Sequence, residues 1–193
     1  MKKAVFIDKD GTLIEDVPYN IDPRSIRFPE GTIDALKILK EHGYLLILVS
    51  NQSGVARGYF TEQELKHLED ALEAKLNLHG ISIDDYFFCP HHPDGKVEEY
   101  AIDCQCRKPK PGMILTAAAK HDIDLSRSWM IGDILNDIEA GNRAGCNTIL
   151  IDNGNETEWI LSDHRIPTST AKDLAQAARR IMYEPAFTDE QQQ

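Results

Sequence analysis

Residues Tyr44 to Val49 read YLLILV, apolar at every position. A strand with one wet face alternates apolar and polar residues. A continuous apolar run is what a strand covered on both faces requires, and such strands belong to parallel sheets flanked by helices. The rest of the chain fits that frame. Residues 3–8 and the segments Tyr86–Phe88, Trp129–Ile131 and Thr148–Ile151 read as further strands. Between them, Gly31 to His42 places Ile33, Leu36, Ile38 and Leu39 at roughly helical spacing, with Gly43 as a C-terminal cap. Thr61 and Glu64 form a capping box that opens a helix running to about His79. Pro111 to His121, 135–144 and 171–182 complete the helices, and 89–110 is irregular. Strand and helix alternate throughout. The expectation is an α/β fold of three layers, a parallel sheet with helices on both faces.

The pattern shows no internal repeat and no long linker, so residues 1–183 are expected to form one domain, followed by a polar, flexible tail at 184–193. No apolar run approaches the roughly 20 residues of a membrane span, and the first strand begins too early to leave room for a signal peptide. A cytoplasmic location without membrane attachment follows as the default. With 32 acidic against 21 basic residues the net charge is −11, which argues against a nucleic-acid partner. An acidic chain can still hold a small phosphate if it carries a metal ion, oriented N–H groups or a single Lys.

In parallel sheets ligands gather at the carboxyl ends of the strands, and the polar clusters fall there. Asp8 and Asp10 follow the first strand, Ser50-Asn51-Gln52-Ser53 the second, and Gly132-Asp133 a later one. Asp-Gly is an ordinary turn signal, and any one of these aspartates alone is more simply a solvated turn residue. Three at successive strand ends point instead to a shared hard cation, Mg²⁺, because converging carboxylates repel unless something compensates them. Hydroxyls and N–H groups at 50–53, with Lys108 just before a helix, suit phosphate oxygens. Asp137, four residues after Asp133, is equally suited to metal ligation and to charging a helix N-terminus.

A separate cluster, Cys89-x-His91 and Cys104-x-Cys106, offers three thiolates and an imidazole, the set that a closed tetrahedral zinc site uses. The intervening segment has little apolar content, so bound zinc would supply its order. His92 is the weaker ligand candidate, and Cys146 reads as a core thiol.

D-K-D-G-T at 8–12, Ser50, Lys108 and G-D-I-L-N-D at 132–137 resemble, in order, the four motifs of the haloacid dehalogenase-like phosphatases. N-Q-S-G-V-A-R-G at 51–58, C-P-H-H-P with V-E-E-Y at 89–100, and C-Q-C-R-K-P at 104–109 narrow the resemblance. They are similar to the zinc-containing D-glycero-D-manno-heptose 1,7-bisphosphate 7-phosphatases of lipopolysaccharide biosynthesis, with histidinol-phosphate phosphatases as near relatives. The resemblance implies a Rossmann-like core with an added hairpin near 12–28, a minimal cap and a zinc loop in the pocket wall. It implies an Mg²⁺-dependent phosphatase in which Asp8 is the nucleophile and Asp10 the general acid and base; because the expected active site faces a small opening, a monomer is expected to suffice. Mg²⁺ would be held by the side chains of Asp8 and Asp133 and the backbone carbonyl of Asp10, and structural Zn²⁺ by Cys89, His91, Cys104 and Cys106. Ser50 and Lys108 would hold the transferring phosphoryl group. Asp16, Val17, Pro18, Tyr19, Asn51, Gln52, Ser53 and Arg107 would contact the phosphorylated sugar. One position departs from the pattern: where members often carry Lys or Arg after Gly-Asp, this chain has Ile134.

Overall fold

The computed structural model describes residues 1–183; the expected flexible tail lies outside them. Six strands, β1 Lys3–Ile7, β2 Tyr44–Asn51, β3 Asp85–Cys89, β4 Trp129–Gly132, β5 Asn147–Ile151 and β6 Ser169–Ala171, form one sheet in the order β3-β2-β1-β4-β5-β6. Every pairing is parallel, and Val5 at the centre faces Leu46 on one side and Trp129 on the other.

The two-sided burial expected of YLLILV is met by alternation of the strand's side chains between two cores. Leu46 and Leu48 join Val5 and Ile7 of β1 against α1 Thr32–Glu41, α3 Glu62–Asn77 and α6 Leu174–Tyr183. Ile47 and Val49 join Ala4 and Phe6 on the opposite face, against α4 Gly112–His121 and α5 Leu135–Ala144. A fully buried Leu or Ile contributes roughly 1.5–3 kcal/mol by leaving water. Each inner strand makes that contribution on both faces, and this is why no polar residue interrupts the run.

Local signals set the ends of the elements. Thr61 and Glu64 form the expected capping box at the start of α3. Gly43 adopts φ +78° just beyond α1 and reverses the chain into β2. The last helix begins at Leu174, because 169–171 is taken up by β6. A four-residue helix, α2 Gly54–Arg57, follows β2 directly.

The hairpin implied near 12–28 is absent. Among the described residues the segment holds one isolated bridge, Asp10 to Ile14, and a 3-10 turn at Pro23–Ser25, with no paired strands. Pro18, Pro23 and Pro29 lack the N–H groups that a ladder needs, so the segment runs as an irregular flap beside the sheet edge.

Candidate active site

β1 ends at Ile7, and the N–H of Asp8 still donates to Ile131 O of β4 at 2.9 Å, which fixes the start of the loop. The chain then folds back on itself. Leu13 N–H reaches Asp8 O and Ile14 N–H reaches Lys9 O, both within 3.2 Å. Gly11 makes this turn at φ +86°, and a Cβ there would collide with the Asp133 carboxylate. The Asp-Gly pair is therefore a turn signal that serves a site: glycine supplies both the backbone conformation and the room.

Asp8, Asp133 and Asp137 each offer an oxygen within 4.8 Å of the other two. All three are buried, as is Lys108. The Lys108 ammonium hydrogen-bonds to Asp8 Oδ1 at 2.5 Å and to Val49 O at 2.8 Å, and pairs with Asp137 Oδ1 at 2.7 Å. Asp137 lies in the first turn of α5, where its other oxygen accepts from Ile134 N–H at 3.2 Å. Gly132 lets it lie there, because a Cβ at 132 would strike the Asp137 side chain. Of the two roles open to Asp137, the helix-terminal one is occupied, and its second partner is the lysine.

Three carboxylates and one ammonium leave this interior short of positive charge. Burial drives the Asp8 pKa well above the usual carboxylate range; Lys108 opposes the rise and Asp137, Asp133 and Asp10 add to it. Burial, followed by the charge of Asp137, raises Asp133 to about 6. Burial alone would lower the Lys108 pKa, but Asp137 and Asp8 outweigh it and the group is raised. A hard cation among the carboxylates would remove the cost of ionising them, so the oxygen set and its charge deficit both fit Mg²⁺.

Asp10 faces elsewhere. Its carboxylate pairs with Lys9 at 3.0 Å and accepts from Gln52 Nε2 at 2.9 Å, outside the three-carboxylate group. Gln52 also donates to Ser50 Oγ at 2.7 Å, linking the ends of β1 and β2. A cavity of about 230 Å³ opens here, lined by Lys9 and Asp10, by Asp16, Val17, Pro18 and Tyr19, and by Asn51, Gln52 and Ser53. Tyr19 is held at φ +55° with its ring edge-on to Tyr59, centroids 4.7 Å apart. Asn51 lines the cavity, yet its amide is engaged by the Lys108 backbone: Nδ2 donates to Lys108 O and Oδ1 accepts from Lys108 N–H, both at 3.0 Å. Arg107 is not in that lining; it points to His91 O at 3.4 Å.

Cys89, His91, Cys104 and Cys106 converge. The three sulfurs are 3.1–3.4 Å apart, and His91 Nδ1 is 3.4 Å from Cys106 Sγ and 3.7 Å from Cys89 Sγ. A tetrahedron built on Zn–S bonds has S–S edges of about 3.8 Å, so the four ligands need to open only by about half an ångström to admit zinc. All four cysteines are free thiols. Burial raises the Cys89 and Cys106 pKa values. Burial acts the same way on Cys104, but the neighbouring sulfurs hydrogen-bond to it and bring it down to about 7. His92 lies outside the cluster and approaches Arg57 at 3.2 Å. Cys146 packs in the core, its pKa pushed up to about 12 by burial. The loop is docked on α2: Lys96 and Val97 N–H both donate to Ala56 O, at 2.7 and 2.9 Å.

Two contributors to the site carry no sequence signal. Lys9 reads as the filler of D-x-D, and Asn155 as part of a polar turn, N-G-N-E. Asn155 nonetheless donates to Asp133 Oδ2 at 2.6 Å.

The family described as "HAD-hyrolase-like" matches residues 105–177. The chain is 47% identical over 155 residues to the D-glycero-beta-D-manno-heptose-1,7-bisphosphate 7-phosphatase of Pasteurella multocida (strain Pm70), covering 80% of this chain and 84% of that one. It is 38% identical over 186 residues to the enzyme of the same name from Escherichia coli (strain K12), covering 92% and 94%. Among solved structures, the D,D-heptose 1,7-bisphosphate phosphatase of B. bronchiseptica, complexed with magnesium and phosphate, superposes with a TM-score of 0.77. It is 30% identical and spans 95% of this chain and 99% of its own.

Proposed function

The chain belongs to the D-glycero-beta-D-manno-heptose-1,7-bisphosphate 7-phosphatase family of haloacid dehalogenase-like hydrolases, and on that premise we propose that it removes the 7-phosphate of this sugar bisphosphate through Asp8. The convergence of Asp8 and Asp133 with Lys108, at the ends of adjacent strands, carries the reading. An Asp8 oxygen attacks phosphorus while the bond from phosphorus to the sugar oxygen breaks, giving an aspartyl-phosphate. Asp10, free of the carboxylate cluster and facing the cavity, gives its proton to the leaving sugar oxygen. It then takes a proton from the water that attacks the same phosphorus, which restores Asp8 and frees inorganic phosphate. Gln52 and Lys9 hold the Asp10 carboxylate on the cavity side. Ser50 and Lys108 hold the phosphoryl oxygens, and Asp16 to Tyr19 with Asn51 to Ser53 wall the sugar; Arg107, turned to His91 O, would have to swing from the zinc loop to reach it.

Asp8, Asp133 and the Asp10 carbonyl would hold Mg²⁺, which when bound offsets the repulsion between an anionic nucleophile and an anionic ester. The solved neighbour complexed with magnesium and phosphate supports the choice of ion. Cys89, His91, Cys104 and Cys106 would hold Zn²⁺ and order the 89–106 loop. Such a thiol set suits a reducing compartment, which supports a cytoplasmic location. The small opening of the cavity, which one chain can wall by itself, is the ground on which we propose a monomer. No helix among the described residues is long and apolar enough to cross a membrane.

The deciding experiment is a substrate panel with magnesium present and absent. Heptose 1,7-bisphosphate should be the preferred substrate and turnover should require the metal. A preference for histidinol phosphate would establish the other reading. In the same assay Asp8→Asn should lose at least about 10³-fold in kcat while remaining folded; normal turnover by that variant would remove Asp8 from the nucleophile's role.

A further inference from the structure

We propose that Asn155 is a positioning residue that fixes the Asp133 carboxylate for a divalent cation. The proposal rests on the reading of Asp8 and Asp133 as cation ligands.

Asp133 is buried, and its two oxygens stand in different situations. Oδ2 accepts from Asn155 Nδ2 at 2.6 Å, whereas Oδ1 has only the distant Thr12 hydroxyl at 3.5 Å. A single strong donor on one oxygen fixes the rotation of the carboxylate and leaves the other oxygen available. The donor is also neutral. A Lys or Arg in its place would orient the group equally well but would compete with the cation for its charge; an amide orients without competing.

The amide is itself held. Asn155 lies in the loop after β5, at the same sheet edge as Asp133, in a segment tied down on both sides. Asn153 Nδ2 donates to Gly11 O at 2.8 Å, Asn155 N–H donates to Asn153 Oδ1 at 3.1 Å, and Glu156 accepts from Leu135 N–H at 2.6 Å. These bonds bridge the loop after β1 and the first turn of α5, the two segments that bracket Asp133. Gly11 makes room for the contact, since a Cβ there would meet both the Asp133 carboxylate and Asn155 Nδ2. The glycine that turns the nucleophile loop thus also admits the amide to the cation ligand.

Asn155 and Asn153 are both exposed, so substituting either leaves the core intact. The test is calorimetric titration of Mg²⁺ into the wild type, Asn155→Ala, Asn155→Leu and Asn153→Ala, with kcat measured at saturating Mg²⁺. Both Asn155 variants should bind Mg²⁺ about 10- to 100-fold more weakly, with kcat at saturation within about threefold of wild type. Asn153→Ala removes the two bonds that anchor the loop, to Gly11 O and from Asn155 N–H, but leaves the Asn155 amide on the carboxylate, so it should weaken binding less than either Asn155 variant, by no more than about threefold. Equal Mg²⁺ affinity in the wild type and the Asn155 variants, or equal weakening by Asn153→Ala, would overturn the assignment. If the wild type itself bound no Mg²⁺, the underlying reading of Asp8 and Asp133 would fail instead.

Discussion

Asp8, Asp133, Asp137 and Lys108 share a space that solvent barely reaches, and the charges there do not balance without a cation. This has a direction in pH. The carboxyl of Asp133 has its folded pKa raised, to about 6 from an ordinary 3.8, so its ionisation works against the fold. Below about pH 4 the group is neutral in both the folded and unfolded chain and nothing is lost. As pH climbs from about 4 to about 6 the metal-free fold loses stability, at most about 1.4 kcal/mol per unit. Asp8 shifts in the same direction and for the same first cause, burial. A cation reverses the loss only when the carboxylates are ionised. We therefore expect saturating Mg²⁺ to raise the melting temperature more at pH 7.5 than at pH 5, with the change centred near pH 6. Equal increments measured by differential scanning calorimetry at both pH values would show that these carboxylates do not bind the ion. At this scale the sequence displayed the charges and not their alignment. Asp8, Asp10 and Asp133 were visible as carboxylates at strand ends. That Asp10 turns to Gln52 and Lys9, and that Asp137 completes the cluster in its place, depends on side-chain directions that no spacing encodes.

At the scale of elements, the 89–106 loop joins two duties. It carries four soft ligands, and it leads within two residues from Cys106 to Lys108. Asn51 then ties the Lys108 backbone to the end of β2 through a paired hydrogen bond. Removing zinc should therefore loosen more than the loop. Chelator-treated protein, or Cys106→Ser, should lose zinc, show faster amide hydrogen exchange across 89–108, and melt about 5–10 °C lower. It should also turn over more slowly, because the lysine proposed to hold the phosphoryl group lies on the same stretch of chain. Unchanged exchange protection in the metal-free protein would show that the loop orders itself. The elements themselves were legible to different degrees. Burial on both faces writes β1, β2 and β4 as unbroken apolar runs, and Thr61 with Glu64 announced the start of α3. Ser169–Ala171, three small residues at the sheet edge, bury too little to leave a pattern, and α2 is too short to show a period. The hairpin expected at 12–28 came from resemblance alone, and among the described residues one backbone bond, Glu15 N–H to Arg27 O, is all that joins its two arms where Pro18 and Pro23 withhold donors.

For the whole molecule, the strand order places β1 between β2 and β4, so Asp8 and Asp133, just past their strands, and Ser50, the last residue but one of β2, are neighbours at one edge. The net charge of −11 would repel an anionic ester at long range. Attraction must come from the local cations, among them Lys9, Lys108, Arg107 and the expected metal. If the protein works as the proposed monomer, sedimentation should give the mass of a single chain, 21.8 kDa, with full activity at that size; activity confined to a larger species would show that a second copy completes the site.

The docking of the metal loop on α2 has a consequence for how such a scaffold can diversify. Three of its bonds run main chain to main chain: the amides of Lys96 and Val97 reach the carbonyl of Ala56, and the amide of Ala56 reaches Pro90 O. The side-chain contact between Arg57 and His92 lies elsewhere in the join, so the identities at 96 and 97 can drift while it persists. The hollow between α2 and the loop, which Val97 lines with Val55, Gly58 and Tyr59, can be rewritten by mutation there, and the phosphoryl chemistry of the central strands is left alone.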